Sequence, residues 1–193
     1  MGLLDKILGR TNAKPSNLDA LFGVTGAAVT LEASIGLRPA GQAAVSFKPA
    51  TGPAFSETLT EVDELVRFAA QQADMTVSTS DDDFGYRWYT LTDDDVEDLV
   101  TSTHMINRSL DERGFGPQLL CSVFAFTGEQ GVCHLVYLFK RGTFYPFAPR
   151  SGQRRDNELE LRVRGALGSD LPVEADTSRW FALWGLPLQI AEG

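Results

Sequence analysis

Residues 119–139 read LLCSVFAFTGEQGVCHLVYLF, and the fold turns on how they are read. Two apolar runs rich in β-branched and aromatic residues flank Gly128-Glu129-Gln130-Gly131, a turn composition. With Glu129 and Gln130 at the tip, Cys121 faces Leu138 and Cys133 faces Phe126. One side of this hairpin carries Leu120, Phe124, Phe126, Cys133, Leu135, Tyr137 and Phe139. The other carries Cys121, Val123, Ala125, His134, Val136 and Leu138. A strand pair that meets water on one side alternates apolar with polar residues, and this one does not. Both sides must therefore be covered, either by helices of the same chain or by a second subunit in a homodimer. The two cysteines fall on opposite sides and several rungs apart, too far to bridge, so they read as free buried thiols.

The flanking segments follow from this hairpin. Upstream, Thr92 reads as a helix cap, Asp93, Asp94 and Asp95 fill the first turn, and Val96, Leu99, Val100, Ile106 and Leu110 form a helical stripe that ends at Arg113-Gly114. SETLTEVDELVRFAAQQA (56–73) has the same period, with Ser56 as its cap. MTVST (75–79) and GYRWYTL (85–91) read as strands on either side of Asp81-Asp82-Asp83. Asn17 caps a short helix at 18–22. VTLEASIGL (29–37) and AAVSFKPA (43–50) read as a hairpin. Downstream, TFYPFAP (143–149) follows the hairpin, ELELRVR (158–164) alternates as an edge strand would, and RWFALWGLPL (179–188) closes the chain. Hairpins dominate. The expected class is α+β, a mainly antiparallel sheet with helices packed on it.

The composition, 193 residues with 43% apolar and 22% charged, allows one core without staples. A net charge of -9 argues against a nucleic-acid binder, which needs clustered cations for phosphate. The charge is uneven. Residues 57–112 hold 15 acidic and 3 basic side chains, and residues 140–164 hold 7 basic and 3 acidic ones. Arg150, Arg154, Arg155, Arg162 and Arg164 are a candidate basic patch for an acidic partner or an anionic membrane surface. The plainer reading is a solvated loop beside a charged edge strand.

Motifs of catalysis are missing. The sequence has no G-x-S-x-G, no P-loop, no dinucleotide glycine fingerprint and no H-E-x-x-H. His104 and His134 have no partner at ligand spacing, and the aspartate runs lack the spaced ligands and closing Glu of a calcium loop. The residues name no catalytic, metal or cofactor site. An enzyme whose carboxylate site is assembled in space is the alternative that sequence motifs leave open.

The chain begins MGLLDKILGR, in which Leu3, Leu4, Ile7 and Leu8 share one helical face. TNAKPS (11–16) reads as a linker, so residues 1–16 form an appendage and 17–193 a single domain. Asp5 and Lys6 break any secretory signal, and no apolar run approaches the ~20 residues that span a bilayer, so a cytoplasmic protein is expected. Ten residues do not hold a helix alone in water. The decapeptide is disordered, docked on its own domain, or helical against a partner or the inner face of a membrane. Trp180, Phe181 and Trp184 are candidate docking aromatics, with packing on the chain's own core as the plainer reading.

The opening MGLLDKILGR, the segment NLDALFGVTGAAVTLEASIGLRPAGQAAVSFKPA (17–50) and the hairpin context GPQLLCSVFAFTGEQGVCHLVYLFKRGTFYPFAP (116–149) resemble the PspA-associated PspAB family. The resemblance implies a cytoplasmic accessory protein of a phage-shock membrane-stress setting that also includes a membrane zinc protease, and the missing catalytic motifs and scarce histidine favour a non-catalytic binding role. The resemblance also implies a protein partner in that system and no active-site residues. The stretch THMINRSLDERGFGPQLLCSVFAF (103–126) is also similar to the helix-then-hairpin of type III secretion chaperone-like proteins.

Overall fold

A computed structural model of the chain describes residues 17–188. The appendage with Leu3, Leu4, Ile7 and Leu8 lies outside the described residues. A 3-10 turn, Leu18–Phe22, leads into α1, Gly23–Ile35. Then come β1 (Arg38–Phe47), α2 (Pro53–Ala73), β2 (Thr76–Asp81), β3 (Arg87–Thr92) and α3 (Val96–Leu110). The second half holds β4 (Leu119–Gly128), β5 (Gly131–Leu138), β6 (Thr143–Phe147), a short ribbon of β7 (Pro149–Arg150) and β8 (Arg154–Arg155), and α4 (Asn157–Leu167).

The expected α+β class is what the chain adopts. Six strands run in the order β2-β3-β1-β4-β5-β6, with every neighbouring pair antiparallel. The β4–β5 hairpin has the register read from the sequence, with Cys121 opposite Leu138 and Cys133 opposite Phe126. The thiols are free and buried, and burial pushes Cys121 up to about 12.

The chain itself covers both faces of the hairpin. Phe124, Phe126, Leu135 and Tyr137 pack with the apolar stripes of all four helices in one cluster. Cys121, Val123 and Val136 join Ala44, Trp88, Tyr145 and Phe147 in a second cluster. That second cluster is closed by Trp180 with Leu183, Leu186 and Leu188 of the C-terminal segment. Leu120 departs from the expected side. A register shift pairs Ser46 with Cys121 but Phe47 with Leu119, so Leu120 is the extra residue of a bulge. The bulge turns it onto the second cluster.

Two segments expected as strands are helices. Residues 29–35 are the second half of α1, whose buried positions Val24, Ala27, Ala28 and Leu31 have helical spacing, while Val29 is 68% exposed. Gly36 ends α1 in the left-handed region, at φ 69°, and its N–H reaches back to Glu32 O. The continuous helical stretch Leu18–Ile35 is apolar and long enough, by length and composition, to cross a membrane. Here Leu21, Val24, Ala27, Ala28 and Leu31 lie in the core. In 158–164, Asp156 caps α4 by accepting from Leu159 N at 3.1 Å, and Leu159, Val163 and Leu167 are buried at helical spacing. Leu161, whose alternation suggested a strand, is left exposed.

Caps also shift. α3 begins at Val96 with Asp95, not Thr92, accepting from Glu97 N at 2.7 Å. α2 begins at Pro53 after Gly52, and Ser56 sits inside it. Asn17 precedes the first turn without a side-chain cap. Asp82 organises the β2–β3 turn by accepting from Phe84 N, Tyr86 N and Trp88 Nε1, while Asp81 pairs with Arg87.

Candidate functional site

The two ends of the β5–β6 side of the sheet are finished differently. Beyond β6, the segment at Pro172–Glu174 closes the sheet: Phe144 N donates to Pro172 O at 2.9 Å and Glu174 N to Phe144 O at 2.8 Å. At its other end the β5–β6 ladder stops early. Pairing runs from Leu138–Thr143 to His134–Phe147. Val132 would next meet Pro149, and a proline has no N–H to continue the ladder. Asp156 N donates to Ala148 O and Ala148 N donates to Glu160 Oε1, which carries the chain away from β5.

This divergence opens a cleft of about 1220 Å³ between the β4–β5 turn, the end of α1 and the β7–β8 ribbon. The turn is latched to α1 by close approach. A Cβ at Gly128 would come within 2.5 Å of Gly36 O, so only glycine lets these backbones meet. Gln130 Nε2 donates to Ile35 O at 2.7 Å. Three guanidinium side chains line the cleft, Arg38, Arg150 and Arg154, with two carboxylates, Glu129 and Asp156.

Arg150 is committed. Its Nε donates to Asp156 Oδ2 at 3.0 Å. Burial works to raise the Asp156 carboxyl, but the Arg150 bond and the Leu159 N–H hold it below the ordinary range. Arg154 keeps only a bond to Ser151 O, at 3.3 Å, and the Arg38 side chain stands exposed at the rim. Two buried polar atoms of cleft residues have no partner, His134 Nδ1 and Gln130 Oε1. His134 is only 4% exposed and stacks on Phe147. Burial holds its pKa down to about 4, so the imidazole is neutral near pH 7.

The structure places the arginines of 150–164 in different surroundings. Arg150 and Arg154 reach the cleft. Arg155 turns inward, where its Nε meets the buried Glu160 at 2.8 Å and its guanidinium also donates to Trp180 O. Arg162 and Arg164 lie on α4, and Arg164 sits over the Trp180 ring at 5.8 Å. Trp180 is buried and donates from Nε1 to Glu174 O at 3.0 Å. Trp184 packs edge-on against Phe147, and Phe181 is 56% exposed. His104 is buried on α3 beside the Phe22 ring, with Nε2 3.4 Å from Asp19. Among the described residues no three His, Cys, Asp or Glu side chains converge to hold a metal ion.

The PspAB family model, described as PspA associated protein B, matches residues 1–188. The chain belongs to this family. The family name associates it with PspA of the phage-shock system, in line with what the resemblance implied. No curated protein matches the chain, and no solved structure does. Missed by sequence reading were Arg38, Gln130 and the backbone of Val132, which only the antiparallel register and the stop at Pro149 bring together.

Proposed function

We propose that the chain is a cytoplasmic, non-catalytic accessory protein of the PspA stress response that acts by binding a protein partner, PspA in the first instance. The observation that carries this reading is the family match over residues 1–188. The side-chain chemistry agrees with it. The buried carboxylates Asp156, Glu160 and Glu174 are each held by arginine in structural pairs, and His134 is a neutral side chain within an apolar stack.

The test is sedimentation of the purified full chain with PspA from the same cell, beside a variant lacking residues 2–10. A co-sedimenting complex is expected. No complex with PspA at any attainable concentration, in solution or on vesicles, overturns the reading. Loss of the complex only in the shortened variant assigns the contact to Leu3, Leu4, Ile7 and Leu8.

A further inference from the structure

The cleft holds more than charge. In a two-residue hairpin the pair closing the turn, here Gly128 and Gly131, exchanges hydrogen bonds, and such pairs recur at every second rung. Gly131, Cys133 and Leu135 thus spend their backbone groups on β4. Val132, His134 and Val136 aim theirs to the other side. The surrounding bonds obey this parity: Phe139 N donates to Leu120 O on β4, while Leu138 O accepts from Gly142 N on the β6 side. His134 uses its outward groups on Phe147. Val132 is the next outward residue, and it lines the cleft where Pro149 ends the ladder.

We propose that this cleft binds an extended acidic segment of a protein partner, which pairs with Val132 as a short added strand and sets its carboxylates against Arg38 and Arg154. The proposal rests on the protein-binding reading above and names the chemistry of the bound segment. Main-chain pairing to an open strand edge supplies affinity in this mode, and flanking side chains supply selectivity. Arg38 and Arg154 are the cleft arginines that no carboxylate holds, and a guanidinium recognises a carboxylate through two parallel bonds. Glu129 at the turn would repel an anion, but Asp156 is already neutralised by Arg150. In a chain of net charge -9, this mouth is a local reversal of sign, which favours an acidic segment over a basic one. Ile35, Pro149 and Leu188 provide apolar wall for the intervening side chains.

The probe is a fluorescein-labelled peptide of alternating glutamate and leucine, followed by anisotropy, with a lysine-for-glutamate peptide and a backbone N-methylated acidic peptide as comparisons. The full chain should bind the acidic peptide and neither comparison peptide. Arg38→Ala combined with Arg154→Ala should weaken binding by about tenfold or more, as loss of charge-assisted bonds does. Val132→Pro should weaken it while leaving the β4 ladder intact, which an unchanged melting temperature verifies. Equal binding of the acidic and lysine peptides, no binding of the acidic peptide, or unaltered binding by the double arginine variant would each overturn the proposal. Binding of free acetate alone, with no effect of N-methylation, would reduce the site to an anion pocket and also overturn it. The PspA complex separates the two readings: its survival in the double variant removes the cleft but keeps the function, whereas peptide binding without any PspA complex does the reverse.

Discussion

One imidazole is expected to shape how this protein answers acid. His134 lies between the second core cluster and the cleft, stacked on Phe147, and burial holds its pKa at about 4 against 6.5 when free. Between those values the unfolded chain takes a proton that the folded chain refuses. Stability from this group is therefore full above pH 6.5 and is lost as pH falls towards 4. A shift of this size corresponds to on the order of 3 kcal/mol as an upper bound. Asp156 adds to the loss at lower pH, because its depressed carboxyl must be protonated away from Arg150. The expected outcome is that His134→Gln flattens the fall in urea midpoint across this window, while the parent declines steeply. Identical slopes in the two proteins would show that the imidazole is not the group responsible. A second residue-scale prediction concerns Asp95, whose carboxylate accepts from Glu97 N. Asp95→Ala should cost about 1 kcal/mol, read by chemical denaturation, and Thr92→Ala should cost much less because Thr92 caps nothing.

At the scale of elements, the hairpin is the part of the fold that the sequence displays and the part least able to accept charge. Val123 and Phe124 point to opposite faces and are both buried, one beneath the C-terminal segment and one beneath the helices. Val123→Asp and Phe124→Asp should each cost on the order of 4 kcal/mol or more and leave little folded protein by circular dichroism. A variant that melts like the parent would mean that its face is open. The hairpin was legible because two apolar faces, a glycine-bounded turn and a two-residue loop fix both existence and register. The segments 29–37 and 158–164 were not. Within seven residues, alternating Leu159, Leu161 and Val163 satisfy a strand pattern, and the helical period emerges only when Leu167 and the Asp156 cap are included. Val29–Ile35 is misleading in the same way until Val24 and Ala27 join the stripe. Leu120 could not be placed without its partners, because a bulge is a property of the pair β1–β4. Arginines were visible in 150–164, but which of them are free depends on Asp156, Glu160 and Trp180, residues whose nearness comes from tertiary packing. The cleft is less legible still, since it arises from a backbone parity and a missing N–H.

On the scale of the whole molecule, the sheet is asymmetric in what covers it. Four helices lie on one face, whereas the other is closed by a stretch after Arg179 with no helix or strand of its own. That stretch is held by a few named contacts: Trp180 Nε1 on Glu174 O, Arg155 on Trp180 O, and the edge of Trp184 on Phe147. Arg155 is itself fixed by Glu160, so the lid over the second cluster is tied to α4 and, through Ala148 N, to the strand that bounds the cleft. Cover and cleft are thus joined through Arg155 and Glu160. Ending the chain after Arg179 should strip the cover from Cys121, Val123, Tyr145 and Phe147, remove the Trp180 carbonyl from Arg155, and lower the melting temperature. The two thiols report where the damage goes. Cys121 belongs to the cluster beneath the C-terminal segment, and Cys133 to the cluster beneath the helices. In the shortened chain, below its melting temperature, Cys121 should react with a thiol reagent while Cys133 stays protected, and Cys133→Ser should leave the rate unchanged. Reaction of both thiols together would mean global unfolding instead of a lost cover. An unaltered melting temperature with both thiols protected would mean that the second cluster is closed without this segment, and the role assigned to Trp180, Leu183, Leu186 and Leu188 would fall.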